Sequence, residues 1–103
     1  MGKHSPGPWK VIEQGIYTHV AHSDLGYRIA NVFNQSSGGD FAKEETNSNA
    51  ALIAASPELY RDLEIAANSI ELLARLTEGE INTKAMQLVA AFNLTLKKAR
   101  GES

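Results

Sequence analysis

His19 and His22, with Asp24 two residues further on, are the densest group of potential metal ligands or proton carriers in the chain. They fall in a stretch rich in β-branched and aromatic residues, where successive side chains point to opposite faces. An i,i+3 pair therefore points apart and cannot grip one ion. His22 and Asp24 share a face, but a catalytic zinc takes three protein ligands, and the third histidine, His4, sits far upstream. No metal is expected. The chain has no cysteine, which removes a thiolate nucleophile, a disulfide frame and a Cys-based zinc site together. No serine stands in a G-x-S-x-G or S-x-x-K setting. Glu44 and Glu45 are adjacent and splay apart on a helix, while Glu58, Asp62 and Glu71 suit a solvated face. No enzyme and no cofactor are expected; the enzymatic alternative is a nucleotide hydrolase built on Asp24 with His22.

The remaining chemistry is that of binding. Trp9, Tyr17, Tyr27, Phe33 and Phe41 crowd the first half with Arg28 among them, and Tyr60-Arg61 follow later. Rings in a small sheet mostly pack on one another and on the core. The alternative is a stacking pocket in which Trp9, Tyr17 or Tyr60 holds a heterocycle and Arg28 or Arg61 neutralises phosphate. Ser37-Gly38-Gly39-Asp40 has the glycines of an anion nest but lacks the Lys and Ser/Thr of a P-loop, so an ordinary loop is expected. Asn49, flanked by small residues, can cap a helix, bond a neighbouring strand or contact a ligand.

Charge narrows the partners. Ten Lys and Arg against twelve Asp and Glu leave a formal net charge of −2, without the basic excess of a sequence-independent nucleic-acid binder. Lys97, Lys98 and Arg100 complement the negative end of a helix dipole. No apolar run reaches the length of a membrane span and no signal-peptide h-region is present, so neither membrane nor nucleic acid is an expected partner.

These residues need elements to position them. Residues 1–8 read as a flexible Pro/Gly-rich lead, residues 9–100 as one domain and residues 101–103 as a disordered tail. The spacing predicts strands over 9–14, 16–22 and 27–33 in an antiparallel meander, with a bulge at Ala30-Asn31. A polar, mobile loop over 34–40 leads to a helix ending near Ala55 with Ala50, Ile53 and Ala54 inward; Phe41-Ala42 is also open to a short fourth strand. Ser56-Pro57-Glu58 reads as N-cap, N1 proline and N2 acid of a second helix running to about Thr77. Its apolar stripe is Leu59, Leu63, Ala66/Ala67, Ile70, Leu73 and Ala74, flanked by Ile65, Leu72 and Leu76. Gly79 supplies a left-handed cap, and a third helix to Arg100 turns Ile81, Ala85, Leu88, Val89, Phe92 and Leu96 inward. The two long helices form an antiparallel hairpin, so the fold class is α+β.

Two landmarks carry a resemblance. His4-Ser5-Pro6-Gly7-Pro8-Trp9 and Asn49-Ala50-Ala51-Leu52-Ile53-Ala54-Ala55-Ser56-Pro57-Glu58-Leu59 resemble, in order and at similar spacing, the "H-[ST]-P-G-P-W" start and "A-N-A-x-L-I-A-A-x-P-E-L" centre of small phage and prophage accessory proteins. The sheet-then-two-helices layout is similar to that of the anti-Thoeris sponge proteins. The resemblance implies a phage protein in the host bacterial cytoplasm that sequesters a nucleotide-derived immune signal, of the cyclic nucleotide or cyclised ADP-ribose type, and releases it unchanged. Asn49 belongs to the shared centre and is the residue the resemblance favours for function. Ala51 stands where a basic residue is common, which removes a possible phosphate contact, and Tyr60 where leucine is common. A protein-interaction module docking a host or phage protein through the apolar helical face is the competing expectation. The breadth of that face also predicts a homo-oligomer.

Overall fold

The computed structural model describes residues 4–14, 17–32 and 40–102. Three strands, β1 (Trp9–Gln14), β2 (Tyr17–His22) and β3 (Arg28–Val32), precede three helices, α1 (Asp40–Ala54), α2 (Ser56–Ala74) and α3 (Gly79–Ala99). The α+β class with an N-terminal antiparallel sheet is the observed one. Contacts group the chain into two compact units, residues 5–58 and residues 59–103 with the first four residues.

The first unit is a β1-β2-β3 meander with α1 packed on it. β1 and β2 pair without a break from Trp9 opposite His22 to Gln14 opposite Tyr17. Between β2 and β3 the register shifts: Val20 faces Ala30 but Ala21 faces Arg28, leaving Ile29 as the extra residue. The irregularity expected at Ala30-Asn31 thus falls one residue earlier, where it strengthens the local twist of β3. Val20, Val32 and Ala50 form the buried centre, with Trp9, Val11, Ile29, Ile53 and Ala54 packed around it. Small alanines on α1 let the helix approach the sheet closely, and the expected inward set Ala50, Ile53 and Ala54 is the observed one.

Phe41 and Ala42 lie in the first turn of α1, so there is no strand at these two residues. The expected strand ends at Ile16, Tyr27 and Phe33 part company. Tyr27 is placed just before β3, whereas residues 16 and 33 lie outside the described residues, as do the turn at Gly15 and Ser37-Gly38-Gly39 of the nest.

The break between α1 and α2 falls at Ala55, as the proline requires. Pro57 has no N–H to give to the Ile53 carbonyl, so the α1 ladder cannot run through it. The Ser56 hydroxyl, expected as a cap, instead donates to the Leu52 carbonyl at 3.2 Å.

In the second unit α2 and α3 form the expected antiparallel hairpin, tied at both ends. At the turn, Asn82 Nδ2 donates to the Ala74 carbonyl at 2.6 Å. At the other end, Arg100 donates to the Tyr60 hydroxyl at 3.4 Å. Gly79 does adopt a left-handed φ of +69°, but it opens α3 rather than closing α2. α2 unwinds earlier, after Ala74, with Leu76 N–H bonding Leu73 O and Thr77 N–H bonding Ala74 O in the tighter i,i+3 pattern. The C-terminus of α3 is closed by Gly101 at φ +78°, its N–H donating to Lys98 O while the Glu102 N–H donates to Lys97 O. That is the paired bonding of a Schellman cap.

Candidate functional site

The two strand histidines are both buried, and His22 holds a turn. His22 Nδ1 accepts from the backbone N–H groups of Asp24 at 3.2 Å and Leu25 at 3.0 Å, holding the 23–26 turn. Its ring stacks on Tyr27 with centroids 5.1 Å apart. Asp24 therefore meets His22 through its backbone N–H. His19 sits opposite Ile12 in the ladder and, three residues from His22, falls on the other face of β2. Among the described residues no group of three His, Asp or Glu side chains is placed to hold a metal ion.

The six residues expected at a ligand site are distributed across the two units. In the first, Trp9 is half-buried at the start of β1, packs on the core and donates its Nε1–H to the Pro6 carbonyl at 3.0 Å. Arg28 is exposed at the start of β3, and Asn49 is exposed in the interior of α1, away from any cap position. The side chain of Tyr17 lies outside the described residues; its backbone begins β2. In the second unit, Tyr60 is half-buried and Arg61 exposed on the first turns of α2. No hydrogen bond or ring contact joins any two of the described side chains of this set.

Tyr60 instead gathers residues that the ring-and-cation pattern did not include. The His4 ring meets it edge-on at 5.2 Å, and His4 Nε2 also bonds the Ala99 carbonyl. Arg100 reaches the Tyr60 hydroxyl with one guanidinium nitrogen and Glu102 with another, at 2.9 Å. These bonds, the one to Tyr60 first and the one to Glu102 second, raise the Arg100 pKa above its ordinary value and keep it cationic. Arg100 sits in the basic C-terminal cluster, and only the hairpin topology reveals that a residue 40 positions away is its neighbour.

A wide-open hollow of about 490 Å³ lies on α1, lined by Lys43, Glu44, Asn47, Ser48 and Ala51. The Asn47 Oδ1 there is buried without a hydrogen-bond partner. Its openness leaves a small ligand largely in water, unlike the enclosed pockets that bury most of one.

The largest unsatisfied feature is apolar. Across the hairpin, Ala67, Ala74, Val89 and Leu96 are buried, whereas Leu59 is 53%, Leu73 60%, Leu76 79%, Ile81 67% and Leu88 48% exposed. Four of these, Leu59, Leu73, Ile81 and Leu88, were expected to face inward. With about 100° of rotation per residue, each lies on the flank of its helix's buried stripe. Because α2 and α3 run antiparallel, the flank of one and the flank of the other emerge on the same side of the hairpin. The result is one apolar face shared by two helices. No helix among the described residues is long and apolar enough to cross a membrane.

Neither the curated proteins nor the solved structures contain a match to this chain. A family model described as Salmonella phage P22 protein Y8K6 matches residues 1–103, the whole chain. The chain belongs to this phage protein family.

Proposed function

We propose that this is a non-enzymatic phage accessory protein that works by docking protein against the exposed face of its α2–α3 hairpin. The observation that carries this reading is the pair Leu59 and Leu73 on α2 beside Ile81 and Leu88 on α3, each about half or more in water. A contiguous apolar face of this kind on a small protein marks an interaction surface, and helix faces with anchors at i, i+3, i+4 and i+7 spacing are a recurring docking mode. The test is affinity capture from phage-infected cells with wild-type and Leu73→Glu protein as paired baits. A stoichiometric protein retained by the first and lost by the second supports docking. Equal capture by both, or no capture, contradicts it.

A second reading, sequestration of a nucleotide-derived immune signal, draws support from one observation: Tyr60 places an aromatic ring beside the Arg100 guanidinium, the pairing that stacking and phosphate neutralisation need. In that reading Arg100 replaces Arg61 as the cation, and Glu102 must yield its bond to the ligand. A nucleotide released intact from the denatured protein supports it. A thermal response that survives Arg100→Ala contradicts this placement.

A further inference from the structure

We infer that the occupant of the hairpin face is a second copy of this chain, giving a four-helix bundle in which α2 of one copy lies along α3 of the other. The inference rests on the reading of the face as a protein-docking surface and names its partner.

Area is the first argument. The side chains of Leu59, Leu73, Ile81 and Leu88 together leave on the order of 400 Å² of apolar surface in water, within the range of the largest patch on a typical monomer. A standard dimer interface buries about 800 Å² per partner, and in homodimers about 65% of that is apolar. The face thus supplies most of the apolar area that one such interface consumes. A hairpin of two helices encloses only a thin seam, and the buried residues here are Ala67 and Ala74 on α2 and Val89 and Leu96 on α3. A bundle core forms when a second hairpin closes over it.

Charge selects the orientation. Exposed charges flank the face at the open end of the hairpin, Asp62 on α2 and Lys98 on α3, while at the turn end Lys84 is paired with Glu80. A two-fold axis along the helices sets α2 over the partner's α3 at matching height, so Asp62 meets the Lys98 side of the other copy. The same operation sets Leu73 between the levels of Ile81 and Leu88 across the interface. The alternative axis, perpendicular to the helices, stacks α2 on α2 and α3 on α3, which leaves Asp62 over the partner's α2 and away from the lysines of α3. An isologous interface must be complementary to itself, and the first arrangement sets acid on base at its open end. Any other protein then engages this face only in competition with the second copy.

The test is sedimentation equilibrium of the full chain over a wide concentration range, with circular dichroism as a check on folding. The expected result is a species of twice the 11.2 kDa chain mass. Leu73→Glu and Leu88→Glu, both at exposed positions, should keep the helical signal and weaken association about 30-fold or more, the mark of a central anchor. Asp62→Lys should weaken it less, and Asp62→Lys with Lys98→Glu should restore it. A wild-type chain that stays monomeric overturns the inference, and it does so separately from the docking reading, which the paired capture experiment judges. A dimer indifferent to both leucine replacements, or a charge exchange that fails to restore association, also overturns it.

Discussion

Gly7 rests against Pro57: a methyl group built on Gly7 would stand 2.7 Å from the Pro57 Cβ and 3.1 Å from its Cγ. The opening His4-Ser5-Pro6-Gly7-Pro8-Trp9 and the Ser56-Pro57-Glu58 start of α2 are therefore in contact. Gly7 is required there for close approach rather than for backbone freedom, because the crowding atoms belong to a rigid proline ring in a helix first turn. The Trp9 Nε1–H bond to the Pro6 carbonyl closes the same segment on itself. Two landmarks almost fifty residues apart are one structural feature.

Gly7→Ala should destabilise the fold by about 1–3 kcal/mol, the usual range for forcing an extra carbon into a packed contact. Urea unfolding of Gly7→Ala, Pro57→Gly and the double variant checks it. The alanine penalty should shrink in the Pro57→Gly background, since the clashing carbon is then gone. Gly26→Ala is the contrast: nothing lies within 4 Å of its Cβ position, but its φ of +77° should cost about 1–2 kcal/mol through backbone strain alone. A Gly7→Ala chain as stable as wild type would show that the contact is absent in solution.

His22 should behave as a turn-holding residue. Replacing it with Leu strands the N–H groups of Asp24 and Leu25 and removes the stack on Tyr27, at a cost of about 1–3 kcal/mol. His22→Asn keeps a short acceptor able to reach the backbone two residues on and should recover part of the loss. Thermal melts of the two variants decide this: equal losses would remove the acceptor role. Zinc should raise the melting temperature of neither.

Asn82→Ala should loosen the α2–α3 turn by about 1 kcal/mol, because its amide donates to the Ala74 carbonyl at 2.6 Å from the α3 side, beside the Thr77 hydroxyl that donates to the same oxygen at 3.2 Å. Amide hydrogen exchange is the sharper readout. Protection should fall in residues 74–82 first, and an unchanged pattern would show that the Asn82 bond does not hold the turn.

Much of the fold was legible because it rests on local chemistry. Gly-marked turns and β-branched runs located the three strands, and Pro57 located the break between α1 and α2. The inward set of α1 followed from its spacing. The rest depends on contacts distant in the chain. Leu59, Leu73, Ile81 and Leu88 satisfy a helical stripe as well as Leu63 and Val89 do, and periodicity cannot say which sector of a broad apolar surface meets the neighbouring helix. The candidate site was less legible for the same reason. Trp9, Arg28 and Asn49 have binding chemistry one at a time, but Trp9 is committed to the core and Arg28 and Asn49 stand apart in water. The cluster that does form around Tyr60 needs His4 and Arg100 from opposite ends of the chain.

Native mass spectrometry of the freshly purified full chain, followed by a denaturing run on the same sample, tests the seating of a second copy on the hairpin face most directly. The expected result is a dimer for the wild type and a monomer for Leu73→Glu, with no small molecule released from either. A monomer in both samples that gives up an intact nucleotide on denaturation would contradict the account and transfer the function to the ring and guanidinium of Tyr60 and Arg100.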